Sequence, residues 1–190
     1  MKRFSSEQEE VICEKMELFS TLTEPGISPA EYYRRAKIIE AKIVNKRLGW
    51  YKQNHTQLKY LDNPNICDLQ KAVGLVYGMY MGVYEGISII PLEDEQGISA
   101  VHIVSGNFCP YLEAFKRLNI NPKKSAELCK IVLEKPCQAL IDRVDSHIKF
   151  YRNYDFIRPV HFVCLETVVQ TNFFRATPQA KNSLRVHKKV

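Results

Sequence analysis

Four glycines recur at every fourth position through one apolar stretch, AVGLVYGMYMGVYEG: Gly74, Gly78, Gly82 and Gly86. Each glycine inside a helix costs about 1 kcal/mol against alanine, so a helix over Cys67–Gly86 needs an offsetting gain. A spacing of four keeps the glycines on one helix face, where another backbone can come close. Val73, Val76, Tyr77, Tyr80 and Tyr84 fill the rest of the surface. Three uses fit. The face packs closely inside the fold, or it lines a ligand pocket with the Tyr77 and Tyr80 hydroxyls as polar handles, or it docks a second copy through Gly74, Gly78 and Gly82. A membrane span fits worst: Ala72–Ile90 approaches the ~20 residues a span needs, but Glu85 and the tyrosines interrupt it. No membrane span is expected.

The flanks set the fold class. Ser5–Leu22 has a serine cap, early glutamates and the apolar positions Val11, Ile12, Met16 and Phe19, which together predict a helix. Ser28-Pro29-Ala30-Glu31 starts a second helix with a capping box and proline at the first helical position. That helix runs to about Leu48 with Tyr32, Ala36, Ile39, Ile43 and Leu48 inward. Arg34, Arg35, Lys37, Lys42, Lys46 and Arg47 form a solvated opposite face. Asp62-Asn63-Pro64-Asn65 is a turn. Strands are expected at Ile87–Pro91 and Ile98–Val104, helices at Tyr111–Leu118, Ser125–Val132 and Cys137–Val144 with a break or kink at Pro136, and two more strands at Ile148–Tyr154 and His161–Val169. The order is helices, a hairpin, helices, a hairpin. It predicts an α+β fold: N-terminal helices plus an antiparallel sheet with helices packed on one face. Residues 1–65 form an N-terminal helical segment, 66–170 an α+β core with a small-molecule pocket, and 171–190 a basic tail.

Arg175, Lys181, Arg185, Lys188 and Lys189 in the last twenty residues account for +5 of the net +6 charge. The remainder is near neutral, which argues against a nucleic-acid-binding face. No apolar run follows the basic start, so no secretory signal is expected. The six cysteines are then reduced thiols in a cytoplasmic compartment.

Four of them, Cys109, Cys129, Cys137 and Cys164, fall in the stretch Ser105–Gln170. Cys109 stands just before a helix, whose positive end lowers a thiol's pKa when the side chain points at it. It is the candidate nucleophile; the alternative is an inert buried thiol. Glu166, on the strand face of Cys164, is a candidate for proton transfer. Arg152 and Arg158 flank the last hairpin turn and are candidates for holding a substrate carboxylate. An alternative makes Cys129, Cys137 and Cys164 thiolate ligands for zinc or an iron–sulfur cluster, although the chain has no CxxC pair. No phosphate loop, HExxH or dinucleotide fingerprint is present, and the cofactor is not specified.

The segments CPYLEAFKRLNI, ELCKIVLEKPC and IKFYRNYDFIRPVHFVCLETV resemble the core of the L-2-amino-thiazoline-4-carboxylic acid hydrolase-like family over about a third of the chain. The matching positions are Cys109, Cys129, Arg152 and Cys164. The resemblance implies an α+β domain around a small pocket, acting on carbon–nitrogen bonds of small amides or thiazolines. Binding without turnover, as a ligand or metal sensor, and a glycine-face interaction protein remain as alternatives.

Overall fold

In the computed structural model the described residues are 4–81, 85–94 and 97–171. The basic tail beyond Thr171, together with Gly82 and Tyr84, lies outside them. Helix α1 spans Ser6–Phe19, followed by a 3-10 turn over Ser20–Leu22. The Ser5 side chain accepts from the Gln8 amide, and the Gln8 side chain accepts in return from the Ser5 amide. Helix α2 spans Pro29–Asn54, with Ser28 accepting from the Glu31 amide. The second half of the expected capping box is diverted: the Glu31 carboxylate takes Arg34 and Arg35 instead.

Helix α3 covers Asp68–Val73, and the helix then widens to a π-helix over Gly74–Tyr80. Strands β1 (Ile87–Asp94) and β2 (Gly97–Ser105) follow as a hairpin. Then come α4 (Pro110–Arg117), α5 (Pro122–Ile141), β3 (Ile148–Asn153) and β4 (Cys164–Gln170). The sheet is antiparallel with order β1-β2-β4-β3, so β4 joins the two hairpins. The fold class is α+β, as expected.

Two expectations change at the helices. Pro136 does not interrupt α5. The buried positions Leu128, Cys129, Val132, Leu133, Pro136, Cys137 and Leu140 run straight through it, so the proline ring sits on the inward stripe and packing holds the helix together. The glycine helix is α-helical only to Val73. Its Met81 amide bonds to the Val76 carbonyl, a five-residue step. At Gly74 the close approach comes from this same chain: a Cβ there would meet the Tyr60 hydroxyl oxygen at 2.6 Å, while that hydroxyl donates to the Gln70 carbonyl. At Gly86, φ is +70° and an added Cβ would meet the Asn107 backbone at 3.1 Å, so glycine is needed for both space and conformation.

Two apolar cores meet along α5. One gathers Leu69, Val73, Leu75, Val76, Val101, Ile103, Leu140, Ile148, Phe150 and Val168, between one sheet face and the α3–π segment. The other gathers Phe19, Ile39, Ile43, Phe115, Leu128, Val132 and Ile157, between α1, α2, α4 and α5. Cys137 belongs to the first and Cys129 to the second. At the edge of the sheet, the Gln138 side chain donates to the Ile148 carbonyl and accepts from the Phe150 amide, standing in for a strand neighbour of β3. No helix is long and apolar enough to cross a membrane among the described residues.

Candidate functional site

The candidate site lies at the seam between the two cores. The antiparallel register pairs Arg152 on β3 with Glu166 on β4, and Glu166 with Ile103 on β2. Both charged side chains point to the helix-covered face. Arg152 donates from Nε to Glu166 Oε1 at 2.8 Å and makes a second, shorter bond from Nη2. Tyr77, from the π-helix, donates its hydroxyl to Glu166 Oε2. The two ionic side chains are 10% and 5% exposed, so this is a buried ion pair capped by a phenol. Burial pushes the Tyr77 hydroxyl well up, and the neighbouring Glu166 carboxylate pushes it further. Burial alone would weaken the Arg152 charge, but Glu166 outweighs it and the guanidinium is held firmly protonated.

Above this pair sit the thiols. Cys109 is the residue before α4 and is half-buried. Burial pushes its thiol up, and the opposing pull of Arg158, the Leu112 amide and Arg152 does not reverse that. Of the two readings the sequence left open for Cys109, the direction of this shift goes with the buried thiol: the helix has only eight residues, and desolvation outweighs its positive end. Cys129 is buried and pushed up to about 12. Cys164 accepts from the Arg158 backbone amide at 3.5 Å and from its Nε at 3.4 Å. Arg158 also donates from Nη1 to the Asn107 carbonyl, two residues before Cys109. Ile157, fully buried in the second core, anchors the segment that places Arg158 there. The following Arg158–Pro159 peptide is cis.

A third arginine completes the seam. Arg47, placed by sequence on the solvated face of α2, is instead 3% exposed. Its Nη1 donates to Cys137 Sγ at 3.0 Å, and its guanidinium lies 5.0 Å over the Tyr80 ring. The signal was in the register: Ile39, Ile43 and Arg47 are four apart on one stripe.

The structure thus brings Cys109, Cys129 and Cys164 within electrostatic reach of one another, with Arg152 beside the first two, while Tyr77 joins through Glu166 and Arg152. Cys137 and Tyr80 gather on Arg47 beside them. The metal alternative finds no support in the arrangement. No group of three His, Cys, Asp or Glu side chains among the described residues is set to hold a metal ion.

Clefts of about 490 Å³, beside Tyr32, Asn121 and Lys124, and about 350 Å³, beside Glu40, Glu134 and Gln138, lie elsewhere on the surface. Neither is lined by Cys109, Arg152, Arg158 or Glu166. No protein-family model, curated protein or solved structure matches the chain.

Proposed function

We propose that the protein binds a small carboxylate-bearing molecule at the corner formed by Arg158, Cys109 and Cys164. One observation carries this reading. Three guanidiniums, of Arg47, Arg152 and Arg158, line the seam, and Glu166 is the one carboxylate that pairs with any of them among the described residues. Arg152 commits its Nε and Nη2 to Glu166, so the carboxylate-holding role passes to Arg158. Arg158 is half-buried and contacts a thiol and a carbonyl but no acid. A planar guanidinium in that setting favours an anionic, bidentate partner.

Binding is the primary function in this reading. Cys109 touches the ligand as a neutral thiol, because burial holds its proton. The resemblance to thiazoline hydrolases supplies the ligand class, a small amide or thiazoline carrying a carboxylate. Hydrolysis of its carbon–nitrogen bond is the second reading; it makes Cys109 the nucleophile once a bound substrate takes up the thiol proton. Thermal unfolding with 2-aminothiazoline-4-carboxylate, and with the same ring lacking its carboxylate, tests the proposal. At a concentration of about 100 Kd the carboxylate form is expected to stabilise the fold by ~2.7 kcal/mol. Equal shifts from both compounds, or none from either, would sink it.

A further inference from the structure

Two long cations stand on apolar stripes. The inward positions of α1 are Ile12, Lys15 and Phe19, and those of α2 include Ile39, Ile43 and Arg47. Lys15 is 8% exposed and Arg47 is 3% exposed. A guanidinium keeps its charge inside proteins, and burying a charge without a partner is costly. Arg47 nevertheless makes no ion pair with a carboxylate among the described residues. The buried acids there are committed elsewhere: Glu40 takes Lys37 at 3.1 Å, and Glu166 takes Arg152 and Tyr77. Glu14 takes Lys15 at 3.1 Å and Lys46 as well. Between α1 and α2, Lys15, Lys46 and Arg47 thus set three positive charges against the one negative charge of Glu14. Arg47 donates from Nη1 to Cys137 Sγ at 3.0 Å, but sulfur is a weak acceptor. The Tyr80 ring, 5.0 Å away, attracts the cation without neutralising it. The Arg47 Nε is buried with no hydrogen-bond partner.

We propose that a small monovalent anion, of chloride size, binds at the Arg47 Nε, where side chains from α1, α2, α4 and the π-helix meet. Lys15 stands 5.4 Å from the ring of Tyr111 on α4, as Arg47 stands over Tyr80. Burial pulls the Lys15 ammonium's pKa down, and the nearby Lys46 and Arg47 charges pull the same way against Glu14. An anion beside them relieves that repulsion. Burial also holds the Tyr111 phenol neutral, so it can donate to an anion but cannot replace one. A water molecule at Nε would complete its hydrogen bonding and leave the charge unmatched; an anion does both. Lys46 is 57% exposed at its side chain, where solvent screens it, so one negative charge meets the buried surplus. Neither surface cleft is lined by Arg47, and so closed a position suits a single ion. This site is separate from the Arg158 corner and uses none of its residues.

Trp50 is the one tryptophan of the chain, and its ring packs 5.1 Å from that of Tyr80, so its emission reports on the site. The probe is iodide, which quenches tryptophan on contact, titrated into the full chain at an ionic strength held fixed with gluconate. A saturable loss of Trp50 emission is expected on top of the linear collisional loss, and added chloride should move its midpoint to higher iodide. Arg47→Met should lose the saturable part and keep the linear one. A saturable part unchanged in that variant overturns the proposal. So does a strictly linear iodide response of the native protein, or a saturable one that chloride does not displace, even where the variant does not fold. Thermal unfolding in chloride against gluconate at equal ionic strength is the second measurement. At about ten times its Kd, chloride should raise the melting temperature by about 3–6 °C, a rise absent from Arg47→Met. Equal melting temperatures of the native protein in the two salts overturn the proposal.

Discussion

Replacing Glu166 by glutamine tests the buried ion pair most sharply. Glutamine keeps the volume and can still accept from Tyr77, so little packing is lost. What remains is Arg152, 10% exposed at its side chain, with no compensating charge. Removing one partner of a buried pair costs about 3–5 kcal/mol, because the other charge stays buried. For a chain of this length each kcal/mol moves the melting temperature by about 2–4 °C, so the expected loss is roughly 6–20 °C. Arg152→Met should cost less, since a lone carboxyl can take a proton and keep its bond from Tyr77. The double variant removes both charges and should recover part of the single losses, a coupling of about 0.5–3 kcal/mol in urea unfolding. A Glu166→Gln loss below about 1 kcal/mol, or strictly additive losses in the double variant, would refute the view of these residues as a structural pair.

Three further expectations follow from particular contacts. Gln138→Ala removes both edge bonds of β3 and should cost about 1–3 kcal/mol; unchanged hydrogen-exchange protection at the Phe150 amide would count against it. The Glu31 carboxyl is held down to about 2 by hydrogen bonds from Arg34 and then Arg35. Its folded pKa is depressed, so its contribution is present above the unfolded value near 4.5 and is lost as pH falls from there toward 2. Glu31→Gln should flatten that part of the acid limb, and added salt should do the same because the group is exposed; an acid limb identical to wild type would refute this. The exposed Cys13 and Cys67 should be alkylated well before Cys129, whose proton is held up to about 12. Labelling of Cys129 at a comparable rate in the folded protein would contradict its placement.

The elements legible in the sequence are those whose signals are local. Ser5 and Ser28 capped the helices they were expected to cap, and both hairpins were readable from alternation and turn residues. The start of α5 was missed by a few positions. Asn121-Pro122 is itself a cap and first-turn pair, with Asn121 accepting from the Lys124 amide, so the helix begins three residues before the expected Ser125. The charged site was less legible, for a physical reason. Arg152 and Glu166 meet through a cross-strand register fixed by the ten-residue connection 154–163, which no periodicity encodes. Arg47 was assigned by charge to the solvated face, although its place on the Ile39–Ile43 stripe put it inside. Cys109, Cys129, Cys137 and Cys164 share one stretch of the sequence; the fold brings the first two and Cys164 within electrostatic reach of one another and sets Cys137 against Arg47 instead. Burial of Cys109 stood in the sequence only as the alternative to activation, and the rise it imposes on Cys129 was not legible, because desolvation depends on what surrounds a group rather than on its neighbours in sequence.

Isothermal titration of 2-aminothiazoline-4-carboxylate into the native protein and into Arg158→Met is the most direct test of the central claim. A charged hydrogen bond contributes about 1.5–3 kcal/mol, so the account predicts binding to the native protein that weakens by roughly 10- to 100-fold in the variant. Equal affinity in the two proteins, or no binding of this or any other small carboxylate to the native one, would contradict it.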